Sequence, residues 1–381
     1  MEDVERVLHK TADEIVSLAV DTGFDRATVI SYKGLIYAID LLRRENIGKH
    51  ADSLLAELEK LNFEISHFLS ESAGKLIPEE IGTFLVCALS YNVDEPDDLS
   101  SQADPHGLIA PFARRNYYRE SVNRLKKIFR VIREIANLKK RDGRIFCNSR
   151  FPEKSLAYVS GLGFYGKNTL IIVPELGSLF VLGILFFPLN LREFDYEEER
   201  HAIYRRIKRE SYWGEYCKNC NRCVVACPVG AIDPSGTLEE KLCFSYVSAR
   251  ELKVDRTARE KWGNRLYGCQ TCQDVCPYNR NVRIKIDKNL PGEIGPSISL
   301  KRVLSLEERD VKAMFKGTQM GLSWVSGDAI RRNAILAAGN IGDSFLVSYL
   351  KPYRDSRNEM LREAAEWALR KIGAERGKPE G

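Results

Sequence analysis

The chain has 381 residues, 44% of them apolar and 29% charged, and a net charge of +5 at pH 7. This length admits two or three domains with cores of their own, and the composition excludes a disordered, collagenous or coiled-coil chain. The longest apolar stretch, Leu179–Leu189, is about half of the ~20 residues that a membrane-crossing helix needs, so it reads as a buried strand and no membrane partner is expected.

The first residues, MEDVERVLHKTADE, are acidic and lack the basic-then-apolar order of an export signal, which points to the cytoplasm. Val4–Val20 carries apolar residues at helical spacing. Ala27–Ile30 is β-branched and strand-like, and Ala51–Leu61 reads as a second helix. Gly82–Ser90 is a continuous apolar run, as expected of a central strand, with Cys87 inside it as a buried structural thiol. Asn92–His106 is acidic and rich in breakers, hence a loop, and Tyr118–Leu138 is a long amphipathic helix. A helix-like Pro152–Ser160 leads into Gly161-Leu-Gly-Phe-Tyr-Gly-Lys-Asn-Thr169. This segment holds the G-x-G-x-x-G spacing of a nucleotide loop without the preceding strand and following helix, so by itself it reads as a tight structural turn. Strands at Asn168–Val173 and Ser178–Phe187 flank the turn Pro174–Gly177, and the charge-dense Leu191–Glu210 looks like a connector. Strands mixed with helices predict an α/β or α+β N-terminal domain.

Charge divides along the chain. Met1–Tyr204 holds 26 Lys and Arg against 31 Asp and Glu, whereas Arg205–Gly381 holds 32 against 22. A basic second part can meet an anionic partner, or can be an ordinary solvated surface. Near the end, Arg331–Gly342 (RRNAILAAGNIG) aligns with Arg362–Gly373 (REAAEWALRKIG). The pair reads either as two HEAT-like helical repeats or as two amphipathic helices alike by coincidence.

Ten cysteines in a cytosolic chain call for metal or redox chemistry, because disulfides rarely persist there, and eight of the ten lie between Cys217 and Cys276. Cys217-x2-Cys220-x2-Cys223-x3-Cys227-Pro228 fits the bacterial ferredoxin run, in which three thiolates reach one 4Fe–4S cubane and the fourth serves a second. Cys269-x2-Cys272-x3-Cys276-Pro277 repeats the final part, with Cys243 between the two. The crossover rule assigns Cys217, Cys220, Cys223 and Cys276 to one cluster and Cys227, Cys243, Cys269 and Cys272 to the other. Structural zinc sites pair two C-x2–4-C knuckles and show neither the triple spacing nor the trailing proline.

In ordered blocks the chain resembles the epoxyqueuosine reductases of queuosine biosynthesis. The blocks are GLGFYGKNTL (Gly161–Leu170), PELGSLFVLGIL (Pro174–Leu185), CPVGAI (Cys227–Ile232), KLCFSY (Lys241–Tyr246) and GNRLYGCQTCQDVCPYNR (Gly263–Arg280), followed by the helical pair. The resemblance implies a cobalamin held between an N-terminal catalytic domain and the cluster module, reduced by the clusters through a low-potential electron donor. It also implies a cytoplasmic, monomeric enzyme that converts epoxyqueuosine in a tRNA anticodon stem-loop to queuosine. The expected architecture is an α/β (α+β) corrinoid-binding domain over 1–204, a ferredoxin-like double-cluster module over 205–295 and HEAT-like repeats over 296–381. Motif position makes Asn168, Thr169 and Ser245 cobalamin-contact candidates, with turn and cap roles as the alternative. The chain departs from the family where a proton-donating aspartate is expected, since Asn148 stands there. Arg115-Asn116-Tyr117-Tyr118 likewise lacks the Asp and His of a family pattern resembling GRDYH. Another acid (Tyr117, Tyr118 or water) then serves, or the chain is a paralogue with another substrate, or it keeps the electron wire without catalysis, as a carrier or RNA-binding adaptor. Cys147, beside Asn148, is either a core residue or a cofactor contact.

Overall fold

The computed structural model describes residues 7–44, 50–72, 81–92, 98–208, 215–282 and 294–376. The chain forms two compact units, each assembled from separated stretches: Met1–Tyr91, Tyr118–Cys220 and Pro277–Arg283 in the first, and Asn92–Tyr117, Asn221–Cys276 and Ile284–Gly381 in the second. The boundary expected after Tyr204 falls inside the Tyr196–Ile207 helix, whose Ile203 and Ile207 are buried in the first unit. The charge-dense segment taken as a connector is therefore largely a packed helix. Most of its charges occupy the outer face, while Glu199, Ile203 and Ile207 turn inward at four-residue spacing and Glu199 accepts from the Ser31 N–H at 2.7 Å.

The first unit is built on an antiparallel sheet in the order Arg26–Ser31, Thr83–Ser90, Phe180–Phe187, Arg144–Phe146. All eight residues of Thr83–Ser90 are buried, which is why that strand reads as an unbroken apolar run rather than an alternating one. Gly183, paired with Cys87, lets the Tyr117–Ile135 helix lie close over the sheet, since a Cβ there would meet the Ser121 hydroxyl. The N-terminal helix runs from Ala12 to Asp21 rather than from Val4, because Thr11 and Glu14 close a capping box at its start. Val7–Leu8 instead pairs in parallel with Asn190–Leu191, and Val4 lies outside the described residues. Of the strand expected over Asn168–Val173, Ile171–Ile172 pairs with Phe164–Tyr165 and Val173 bridges Gly177, leaving Asn168 and Thr169 in the turn before them.

Phe186 anchors this core. Its ring meets Phe84 at 4.9 Å, Tyr32 at 6.1 Å and Phe68 at 6.2 Å, and the residue is fully buried. Phe186→Ala is expected to cost about 3–5 kcal/mol through lost burial and the cavity left behind, read as a lower midpoint in denaturant titration.

In the second unit a three-stranded sheet sets Arg265–Tyr267 parallel and Ser297–Ser299 antiparallel to His106–Ile109. The segment expected to be loop up to His106 thus ends in a strand that organises this unit. Its apolar core runs from Phe244, Trp262 and Leu266 into the Gly327–Ile341 and Glu359–Arg376 helices, the pair that carries the repeated sequence. The two helices cross tightly at Gly339, where a Cβ would fall 2.7 Å from the Trp367 ring and 2.8 Å from Ala368 Cβ. Among the described residues no helix is long and apolar enough to cross a membrane.

Candidate metal centre and the glycine-rich turn

Four cysteines from three separated segments gather in the second unit. Cys227 follows the short Arg222–Ala226 helix, Cys243 precedes the Phe244–Val247 helix, and Cys269 and Cys272 flank the start of the Thr271–Asp274 helix. The first and last of these helices pack on each other. Burial pushes the Cys272 thiol far up, and Cys269, Cys243, Cys223 and Cys227 push it further by like-charge repulsion. Burial raises Cys243 as well, with Cys269 and Cys227 adding to the effect. Cys227, Cys243, Cys269 and Cys272 are therefore electrostatic neighbours, and together they would form an unstable array of thiolates without cations among them.

Backbone donors already face two of these sulfurs. Ala231 N–H donates to Cys227 Sγ at 3.2 Å, and the amides of Tyr246 and Ser245 favour the Cys243 thiolate. Such N–H···S bonds stabilise bound, anionic sulfur. The donor set thus fits an iron–sulfur group: soft thiolates, half-buried, with amides supplied by the helix starts. A zinc ion would need its sulfurs about 2.3 Å from one point. Among the described residues no group of three or more His, Cys, Asp or Glu side chains is arranged to hold a single metal ion in that way. Ser245, a candidate for cofactor contact, serves Cys243 through its backbone.

Cys217 and Cys220 lie on a tight loop of the first unit, closed by the Cys220 N–H to Cys217 carbonyl bond at 2.8 Å. Lys218, between them, has the left-handed φ of 46°. Lys167 Nζ donates to the Lys218 carbonyl at 2.9 Å, and the Phe164 ring lies 4.4 Å from Tyr216, so the glycine-rich turn braces this loop. Cys276 is buried in the second unit, and Cys223 belongs there too, within reach of Cys272.

The turn itself is preceded by the Glu153–Val159 helix and closed by the Phe164–Tyr165 and Ile171–Ile172 hairpin, the reverse of what a phosphate loop requires. Its tip is strained and polar. Thr169 has φ 63°, a left-handed conformation costly for a β-branched residue. Asn168 is buried, and its Nδ2 has no hydrogen-bond partner although its Oδ1 accepts from Leu170 N–H. A buried amide donor left open beside strained backbone fits a turn that offers hydrogen bonds to a bound polar group, as cobalamin's amide-rich rim would require.

Asn148 is exposed on the bend that follows the Arg144–Phe146 strand, with φ 49°. Glu153, five residues on, was not apparent as a site residue from sequence. Its Oε1 accepts from the Ser149 N–H at 2.9 Å and from the Ser149 hydroxyl at 3.0 Å, tying it to the residue next to Asn148. Burial raises its carboxyl above the ordinary range despite those bonds. No sequence signal distinguishes it, because an acidic residue in the first turn of a helix is common. Cys147 donates to the Leu182 carbonyl at 3.1 Å, and burial pushes its thiol up to about 12, the behaviour of an inert core thiol. Asn116, from the Arg115–Tyr118 motif, donates to the Gly317 carbonyl at 3.0 Å within the second unit, and Tyr117 is fully buried.

These features define a double-cluster iron–sulfur protein, and residues 216–279 match the 4Fe-4S double cluster binding domain family. The resemblance to epoxyqueuosine reductases extends through nearly the whole chain. An epoxyqueuosine reductase of Bacillus subtilis is 29% identical over 375 residues, 96% of this chain and 89% of its own length. One from Listeria monocytogenes is 34% identical over 223 residues, 58% of this chain, and there the chain spans only about half of the relative's length, 54%. The fold is shared with an epoxyqueuosine reductase crystallised with an epoxyqueuosine-modified tRNA-Tyr stem loop. The TM-score is 0.66 at 24% identity, covering 95% of this chain and 90% of the other.

Proposed function

We propose that the chain reduces epoxyqueuosine to queuosine in the anticodon stem-loop of tRNA, using two 4Fe–4S clusters and a cobalamin. The observation that carries this reading is the gathering of Cys227, Cys243, Cys269 and Cys272 in a chain similar to epoxyqueuosine reductases over 96% of its length. Those four hold one cluster. Cys217, Cys220, Cys223 and Cys276 hold the other, by the spacing of the ferredoxin run. Cobalamin, when bound, supplies a reduced centre able to open the epoxide.

The chain's own residues do the rest. Asn168 Nδ2 and the Thr169 turn present hydrogen bonds to the cofactor's polar rim, and Ser245 belongs to the same group of candidates. The epoxide oxygen needs a proton as its C–O bond breaks, and Asn148 has none to give. Glu153, held against Ser149 and raised by burial, carries that proton in this chain. The basic stretch after Arg205, including the paired helices that resemble HEAT repeats, meets the stem phosphates. The protein acts as a cytoplasmic monomer fed by a low-potential donor.

The test is anaerobic. Cluster-loaded protein, cobalamin, a strong reductant and tRNA bearing epoxyqueuosine should yield queuosine by nucleoside mass spectrometry, and full cluster content with no product rejects the assignment. Affinity for that tRNA should fall steeply between 50 and 200 mM salt, by about 10³-fold or more if about six phosphates are contacted. Filter binding across that range measures the slope.

A further inference from the structure

The Gly327–Ile341 helix carries a buried Arg–Asn pair whose bonds to backbone carbonyls converge on the segments that bear Cys243 and Cys269. Arg332 is 1% exposed, and its guanidinium donates to the carbonyls of Val247 at 2.8 Å, Arg250 at 3.0 Å and Leu252 at 2.5 Å. It also donates to Asn333 Oδ1 at 2.6 Å, which orients that amide. Asn333, fully buried, sends its Nδ2 to the Ser248 carbonyl and to the Leu266 carbonyl, both at 2.8 Å. One amide thus joins the end of the helix that Cys243 begins to the strand that leads to Cys269.

Two further links continue inward. Val247 N–H donates to the Cys243 carbonyl at 2.9 Å, so the guanidinium stands one helical turn behind the ligand residue. Gly268 N–H donates to Ser248 Oγ at 2.9 Å, and Gly268, at φ 77°, immediately precedes Cys269. Segments more than 60 residues away in sequence are therefore held by two adjacent side chains. Among the described residues no carboxylate hydrogen-bonds Arg332. Burial lowers its guanidinium to about 9, with Glu251 opposing, so it keeps its charge at neutral pH.

We infer that Arg332 and Asn333 are positioning residues for the cluster held by Cys227, Cys243, Cys269 and Cys272. Asn333 sets the separation of Cys243 from Cys269, and Arg332 supplies a buried positive charge that favours the cluster's reduced state. The inference rests on the ligand assignment made above. A reduced cluster carries one more negative charge than an oxidised one, and a fixed cation in low dielectric stabilises the more anionic state. The effect suits a relay, because the higher the cluster's potential stands above that of the donor, the more completely the cluster fills.

The experiment compares reconstituted full-length variants by iron content and by redox titration followed by electron paramagnetic resonance. The unaltered chain should hold two distinguishable clusters, and one that holds fewer overturns the ligand assignment and this inference with it. Arg332→Met should keep both clusters and shift one potential to more negative values while leaving the other in place. Arg332→Lys, which retains the charge, should restore it. Asn333→Leu should lose one cluster and retain the signal of the other. Asn340→Leu is the control. Asn340 lies on the same helix and bonds the Arg259 carbonyl at 2.8 Å, away from the cysteine segments. It should lower the melting temperature and move neither potential. Should Arg332→Met fail to fold, Arg332→Gln removes the charge while keeping hydrogen-bond donors and gives the same readout. Variants at 332 and 333 that match the unaltered chain in both potentials, or that shift both clusters alike, overturn the inference.

Discussion

Cys272→Ala is expected to leave a chain that reconstitutes with one cluster in place of two, halving its iron and lowering queuosine formation to the detection limit. The reasoning starts from electrostatics. Burial raises the Cys272 thiol, and four other thiols add to the effect, so it has the array's other sulfurs for neighbours. No other side chain on the Thr271–Asp274 helix offers a soft ligand. With three thiolates left, the cubane has an open iron that water and oxidants attack, and the cluster is lost. The other tetrad keeps all its proposed ligands, so roughly half of the iron and the charge-transfer absorbance should remain. Cys147→Ala is the matched control. That thiol is equally deprived of water but bonds a strand carbonyl at 3.1 Å, and its removal should leave the iron content unchanged. Iron analysis and absorbance after anaerobic reconstitution decide the matter. Equal loss in the two variants would mean that the array is not a cluster site.

Much of this was legible in the sequence where chemistry dictates spacing. Cysteines two and three residues apart announce a cubane, because only a tight loop lets consecutive thiolates reach irons of one cage. The apolar run Thr83–Ser90 announces a strand buried on both faces. Three things were not legible. The Val4–Val20 periodicity could not reveal that Thr11 would cap a later helix start, since a two-residue strand at Val7–Leu8 is stabilised by a partner 183 residues away. The interleaving of the two units was hidden because His106–Ile109 has too few residues to show a period, and its partners come from near residues 265 and 297. Arg332 and Asn333, polar residues within the repeated RRNAILAAGNIG, are buried because the carbonyls they satisfy belong to chain more than 60 residues earlier. The two-residue strand, the interleaving and the burial of Arg332 and Asn333 are decided by long-range interactions of which local pattern carries no trace, whereas Thr11-x-x-Glu14 is a local capping signature.

Asn148→Asp is expected to raise queuosine formation by at least about tenfold at pH 6, within the 10²–10⁴-fold that a positioned acid contributes. The backbone allows the change. Position 148 has φ 49°, and Asn and Asp are the side chains that adopt this region most readily after glycine, so the bend should survive intact. The new carboxyl is exposed, and at an ordinary value of about 3.9 it is mostly ionised at neutral pH. Its contribution as an acid should therefore grow about tenfold for each unit of pH lowered between 8 and 5. Glu153 behaves differently. Burial raises its carboxyl, so it stays protonated to higher pH than an exposed acid would, as the proton-donor role proposed for it requires. Glu153→Gln should accordingly slow the unaltered chain by about 10²-fold or more and slow the Asn148→Asp chain far less. In Asn148→Asp/Glu153→Gln the remaining activity should rise steadily toward acid, following the exposed aspartate alone. The four rates against pH form a double-mutant cycle: if the two positions share one proton-transfer step, the effects are non-additive. Strict additivity at every pH would assign Glu153 to holding the Ser149 bend and the proton to water.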